Sequence, residues 1–208
     1  MTTINPGQQI ENESFRIIRE EMGPHSFSAL EEPVVVRVIH ATADFDFEDI
    51  MRFSPGAAEA GIAALRNGGD VISDVNMIKA GVSARLMAPF GGEKLCLIAD
   101  EAVYARAKAD NTTRAIASMR YLAPRMDGSI IAIGNAPTAL LEVMRLIREE
   151  GVRPALIIGM PVGFVSAVES KDELLTISEV PFITAVGRKG GSTVAVSVVN
   201  ALLRLARQ

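Results

Sequence analysis

Short apolar runs alternate with longer amphipathic stretches along the chain. The first of these, IENESFRIIREEM, places Ile10, Ser14, Ile17 and Ile18 on one face at helical spacing before Gly23-Pro24 stops it, which predicts an N-terminal helix over about 8–22. Six apolar runs then read as strands, at about 34–39 (VVVRVI), 70–74, 94–98, 129–133, 155–159 and 181–185. Between and after them, helical periodicity covers about 54–67, 101–122 with a break near Asn111, 137–150, 163–175 and 192–206. Strands apolar on both faces, each followed by a helix, predict an α/β fold: a doubly wound, mostly parallel sheet with helices on both faces. No repeat, low-complexity tract or long Pro/Gly/Ser linker divides the sequence, so one domain is expected over 1–208.

Composition agrees and removes several classes of function. At 208 residues, 49% hydrophobic and 22% charged, the chain can bury a substantial core. A single cysteine, Cys96, forms no intrachain disulfide, and with only His25 and His40 beside it a Cys/His zinc cage lacks ligands, so no metal is expected. The cysteine usage points to a reducing compartment, the cytoplasm. The opening MTTINPGQQIENESF has neither a basic nor an apolar leader region, and no apolar run reaches the roughly 18 residues a membrane span needs. Charge is unevenly placed. Residues 1–60 hold 11 acids against 4 Lys/Arg, whereas 61–208 hold 14 acids against 17. With no Trp, two Tyr and no basic run longer than Arg188-Lys189, nucleic acid is a poor partner. A small anionic ligand gripped by a few cations remains open.

In a doubly wound sheet, ligands bind beyond the carboxyl ends of the strands. The run VVVRVIHATADFDFED puts His40 at such an end, before an acidic turn. From position alone it fits a catalytic acid or a hydrogen-bonded structural histidine; His25, in a loop after Gly23-Pro24, reads as solvated. In IAIGNAPTALLEVM, Gly134 permits a tight turn, Pro137 suits a first helical position, and Asn135 or Thr138 can orient a ligand at a helix N-terminus whose amides favour an anion. A capped helix without ligand explains those residues equally well. In ITAVGRKGGSTVAVSVVNALL, Gly187, Gly190 and Gly191 surround Arg188-Lys189 just before Ser192-Thr193, which reads as a carboxylate or phosphate cradle, or else as a flexible turn. It is not a Walker A loop, because Gly190-Gly191 separate the lysine from Ser192, and no GxGxxG occurs at the IAIGNAP turn. Lys79, Ser83 and Arg85 follow the second predicted strand closely, and Arg114 follows the expected helix break; each fits a ligand contact or an ordinary polar surface. The last helix carries Val194, Val196, Val198, Val199, Leu202 and Leu203 around most of its circumference, which predicts either a buried central helix or an obligate homodimer.

Taken together, IHATADF, DVNMIKAG, IAIGNAPTAL, MPVGFVSAVESK and VGRKGGSTVAVSVVNAL resemble the precorrin-8X methylmutase family of cobalamin biosynthesis. The segments stand in the family's order and spacing from Ser14 to Asn200. The resemblance implies a flavodoxin-like homodimer without cofactor, holding a tetrapyrrole near the subunit interface. It also implies an isomerase that moves a methyl group from C-11 to C-12 of precorrin-8X or cobalt-precorrin-8, giving hydrogenobyrinate or cobyrinate. His40 stands at the family's proposed catalytic acid. Arg114 would reach the ligand of the neighbouring subunit. The chemistry is consistent: a 1,5 shift within one conjugated system needs no nucleophile, metal or redox centre, only a proton, and histidine side chains ordinarily titrate near pH 6.5. The substrate's acetate and propionate groups would be gripped by Ser14, Ser83, Arg85, Thr113, Arg114, Asn135, Thr138, Gly187, Arg188, Lys189, Gly191 and Ser192. A non-catalytic tetrapyrrole carrier of the same fold, and a domain binding a phosphorylated metabolite at GRKGGST, stand as alternatives.

Overall fold

One six-stranded sheet organises the protein, which is described over residues 5–208 by a computed structural model. Its strands are β1 (Met51–Phe53), β2 (Val71–Ser73), β3 (Lys94–Leu95), β4 (Ile130–Ile133), β5 (Leu156–Gly159) and β6 (Phe182–Ala185), in the order β1-β6-β5-β4-β2-β3. Every pairing is parallel except β1 with β6, which closes one edge antiparallel. Without that edge strand the order β3-β2-β4-β5-β6 is the 2-1-3-4-5 winding of a doubly wound sheet, compatible with the flavodoxin-like label. The central strands β4, β5 and β6 are buried at every position, which is why their sequences run apolar without alternation.

Helices cover both faces. On one lie α1 (Pro6–Met22), α2 (Glu32–Thr42), α3 (Asp46–Ile50), α4 (Ala57–Arg66), α5 (Asn76–Gly81), α6 (Ala84–Met87) and α11 (Ser192–Ala206), sharing one apolar core. On the other, α8 (Arg114–Leu122), α9 (Pro137–Glu150) and α10 (Ala167–Leu174) enclose a second core, with α7 (Glu101–Ala109) packed against α8. The expected break near Asn111 is real: α7 ends two residues before it, and Asn111 takes a left-handed φ of 49°.

The run 34–39 is not a strand. It forms the middle of α2, and the sixth strand is instead the short β1 that follows α3. The β-branched composition suggests a strand, but Glu31-Glu32-Pro33 is a helix start, and Pro33, Arg37 and His40 recur at helical spacing on the less buried side. Val34, Val35, Val38 and Ile39 bury the opposite side against α11 and α1, and that packing outweighs the intrinsic preference of valine. The third predicted strand is also shorter than expected, ending at Leu95.

The apolar circumference of α11 is covered within the chain. Val194, Val198, Val199, Leu202 and Leu203 are all at most 1% exposed, enclosed by α2, α4, α5 and the sheet. The argument for a dimer drawn from this helix therefore loses its premise, because the alternative of a buried central helix holds.

Candidate active site

His40 lies in the last turn of α2, exposed on one side and held by α1 on the other. Helix α1 begins at Pro6, with the Asn5 side chain accepting from the Gly7 amide, and it turns Glu11, Ser14 and Phe15 toward α2. The Arg37 guanidinium stacks over the Phe15 ring at 4.6 Å and donates to Glu11 at 2.8 Å, while Arg204 of α11 reaches the same carboxylate at 3.4 Å. Burial alone would raise the Glu11 carboxyl, but these two arginines hold it below its ordinary range. The Phe15 ring then meets the His40 imidazole edge-on, with centroids 5.1 Å apart and planes at 71°. His40 and Ser14, 26 residues apart in sequence, line one cleft of about 340 Å³ with Ile17, Ile18, Glu21, Ile39, Ala43 and Phe45. His40 and Ser14 thus share one cleft, with His40 arriving on a helix rather than at a strand end.

The carboxyl edge of the sheet is nevertheless close in the fold. Four residues beyond His40, Asp44 and then Asp46 each accept from the Lys189 ammonium at 2.5 Å, tying the α2–α3 turn to the β6–α11 loop. The Lys189 hydrogen bond depresses the Asp44 carboxyl, and the two acids raise the Lys189 ammonium. Lys189 is therefore a clamp with two partners of its own, not an unpaired cation awaiting a ligand. Arg188 is different: its side chain is exposed and rests over the Phe164 ring at 5.2 Å.

Two helix N-termini face this edge, and they are satisfied differently. At α9 the amides of Gly134, Asn135 and Ala136 all donate to the Asp74 carboxylate, at 3.0, 2.9 and 2.7 Å. Burial raises the Asp74 carboxyl, against the downward pull of those three amides. The anion expected at this turn is thus the protein's own side chain, at the very switch between β2 and β4. Gly134 serves a close approach here rather than a tight turn: a Cβ would lie 2.7 Å from the Ser192 Cα. At α11, by contrast, no side chain caps the helix, and among the described residues the amides of Ser192, Thr193 and Val194 have no acceptor. The open N-terminus of this 15-residue helix, beside Arg188, presents backbone donors that favour an anion.

The remaining expected contacts fall into two groups. Thr113 caps α8 by accepting from the Ile116 amide at 3.2 Å, and its hydroxyl lies 3.4 Å from that of Thr138, so Thr113, exposed Arg114, Thr138 and exposed Asn135 gather beyond β4. Ser83 and Arg85 do not line the His40 cleft. Ser83 caps the short α6, and its amide donates to the Asn200 side chain at 2.9 Å, some eight residues along α11 from the open N-terminus; Arg85 projects from the same helix. His25 is exposed and tilted against Phe27, as a solvated residue would be. Among the described residues, no three His, Cys, Asp or Glu side chains cluster to hold a metal ion, and no helix is long and apolar enough to cross a membrane. Sequence reasoning missed Phe15, Asp44, Asp46 and Asp74. The acidic turn DFDFED was visible, but its cationic partner lies some 145 residues away.

The family model for precorrin-8X methylmutase matches residues 9–205. The cobalt-precorrin-8 methylmutase of Priestia megaterium is 53% identical over 204 residues, covering 98% of this chain and 90% of the relative. The precorrin-8X methylmutase of Pseudomonas aeruginosa is 40% identical over 200 residues, covering 96% of each. Among solved structures, a precorrin-8X methylmutase from Thermus thermophilus superposes with a TM-score of 0.90 at 50% identity, covering 96% of both chains.

Proposed function

From the premise that the chain belongs to the precorrin-8X methylmutase family, whose members are isomerases of corrin-ring biosynthesis, we propose that His40 is the acid that promotes the methyl shift. The substrate is precorrin-8X or its cobalt counterpart, relatives of this chain carrying either name. In the step itself the C-11–methyl bond breaks as the C-12–methyl bond forms, so substrate and product have the same atoms. A proton given to the macrocycle makes the accepting carbon more electron-poor, and the same imidazole recovers it once the methyl has moved. Positioned acids contribute about 10²- to 10⁴-fold, and the rest of the acceleration comes from holding the ring in a reactive shape.

The observation that carries this reading is the convergence of His40 and Ser14 in one open cleft, tied through Lys189 to the loop bearing Arg188 and the uncapped α11. In it, Arg188, Ser192 and Gly187 take substrate carboxylates, Gly191, whose amide donates to the Met160 carbonyl at 2.7 Å, shapes the turn, Lys189 locks the two halves of the site, and Thr113, Arg114, Asn135 and Thr138 form a second polar cluster beyond β4. The protein works in this reading as a cytoplasmic homodimer, with Arg114 meeting the ligand of the second copy. Arg114 and His40 belong to helices on opposite faces of the sheet, and Arg114 does not line the cleft that holds His40. Mixing His40→Ala with Arg114→Ala protein checks the sharing, since only a trans arrangement restores turnover.

The test of the reaction is to incubate purified protein with precorrin-8X and with cobalt-precorrin-8 and follow the absorption spectrum. Conversion of either to the corresponding byrinate is expected. Binding with an unchanging spectrum would instead describe a carrier.

A further inference from the structure

Lys171 heads the largest fully buried side chains of the protein, and the chemistry above gives it no part. It belongs to α10, and its ammonium donates to the carbonyl of Lys189 at 2.8 Å. No carboxylate pairs with it among the described residues, and Asp172 acts on it only at longer range. A buried ammonium with so little compensation is costly, and an apolar side chain of similar length would fill the space more cheaply. Burial accordingly pulls its pKa down to about 8.

What Lys171 holds is the β6–α11 loop. The next two residues, Gly190 and Gly191, have φ values of 154° and 118°, and a Cβ on Gly190 would lie 2.5 Å from the Met160 carbonyl oxygen. The Gly191 amide donates to that same oxygen at 2.7 Å, and the Gly163 amide donates to the Arg188 carbonyl at 3.3 Å. The backbone of the loop is thus tied through the Arg188 carbonyl, the Lys189 carbonyl and the Gly191 amide, and of these three backbone bonds the one at Lys189 is made by a side chain, that of Lys171. We propose that Lys171 is a positioning residue for substrate binding: by fixing the Lys189 carbonyl it sets the Gly190-Gly191 backbone so that the free amides of α11 and the Arg188 side chain are presented together to a substrate carboxylate. This rests on the tetrapyrrole reading given above.

The test uses Lys171→Met, with Lys171→Gln as a shorter side chain that keeps a donor. Because the buried charge is removed with little loss of volume, the Met variant folds with unchanged or higher stability to urea. Hydrogen exchange over residues 187–194 of the free protein becomes faster, KM for the tetrapyrrole rises about tenfold or more, and kcat stays within about twofold. The Gln variant falls between the Met variant and the parent. Unchanged exchange in the Met variant overturns the proposal, as does a fall in kcat at constant KM. Should the parent protein fail to turn over either tetrapyrrole, the functional reading fails, and exchange over 187–194 still decides whether Lys171 positions the loop.

Discussion

Replacing Asp74 by Asn removes one of the two oxygens that satisfy the start of α9, and the cost can be worked from the geometry. Asn135 and Ala136 share Oδ2 while Gly134 uses Oδ1. An asparagine keeps the first two bonds by pointing its carbonyl the same way, which leaves its NH₂ group facing the Gly134 N–H, so one buried donor loses its acceptor and meets another donor. Each bond to a carboxylate is worth about 1.5–3 kcal/mol, and an unsatisfied buried donor costs about 1–3 kcal/mol. Relief from burying a charge offsets part of this, since burial already raises the Asp74 carboxyl. The expected net loss is about 2–4 kcal/mol for Asn, and more for Ala, which strands all three amides. Urea unfolding at neutral pH measures it, as a fall in midpoint at constant m-value. The Gly134 backbone abuts Ser192, so the same variant should loosen the open end of α11 and raise KM. An Asp74→Asn protein within about 0.5 kcal/mol of the parent, or an Ala variant no worse than the Asn one, would refute the amide cage.

Arg188→Ala should weaken tetrapyrrole binding by about ten- to a hundredfold at low salt, and less as salt rises, as loss of a charge-assisted contact requires. Lys189→Ala should also weaken binding, by leaving Asp44 and Asp46 unpaired and repelling carboxylates, and Asp44→Asn with Asp46→Asn in the same chain should restore part of it; equilibrium binding of the product checks both. Glu142 provides a pH prediction. Burial alone would raise its carboxyl, but hydrogen bonds from Arg145 and Arg120 bring it below the ordinary value of 4.5. A lowered folded value contributes stability that is present above the unfolded value and lost as pH falls through the folded one, so urea midpoints measured from pH 7 to pH 3 should show an acid decline that is shallower in Glu142→Gln.

Much of the frame was legible because its signals are local. Pro137 and Gly151 bracket α9, Ser192 opens α11, and Asn111 interrupts the 101–122 stretch where a left-handed residue is needed. The misread element, α2, shows the limit: five β-branched residues within six positions suggest a strand until α11 is present to receive them, and only the Pro33, Arg37, His40 spacing carries the helical period. Likewise β1 has three residues and, among the described residues, pairs with β6 alone, so nothing in its own sequence marks it. In the site, Arg188 and the α11 N-terminus could be read from adjacent residues. The Lys189 pair with Asp44, the Asp74 cage and the Phe15–His40 contact each join segments some 25 to 145 residues apart, and no local pattern encodes them.

The central claim is that His40 supplies a proton to a ring gripped mainly by other residues. Single-turnover conversion of stoichiometric precorrin-8X by the parent and by His40→Ala, with product affinity measured on both, tests it directly. The expected result is that His40→Ala binds product within about threefold of the parent while converting bound substrate at least about a hundredfold more slowly. Conversion by His40→Ala at close to the parent rate would contradict it.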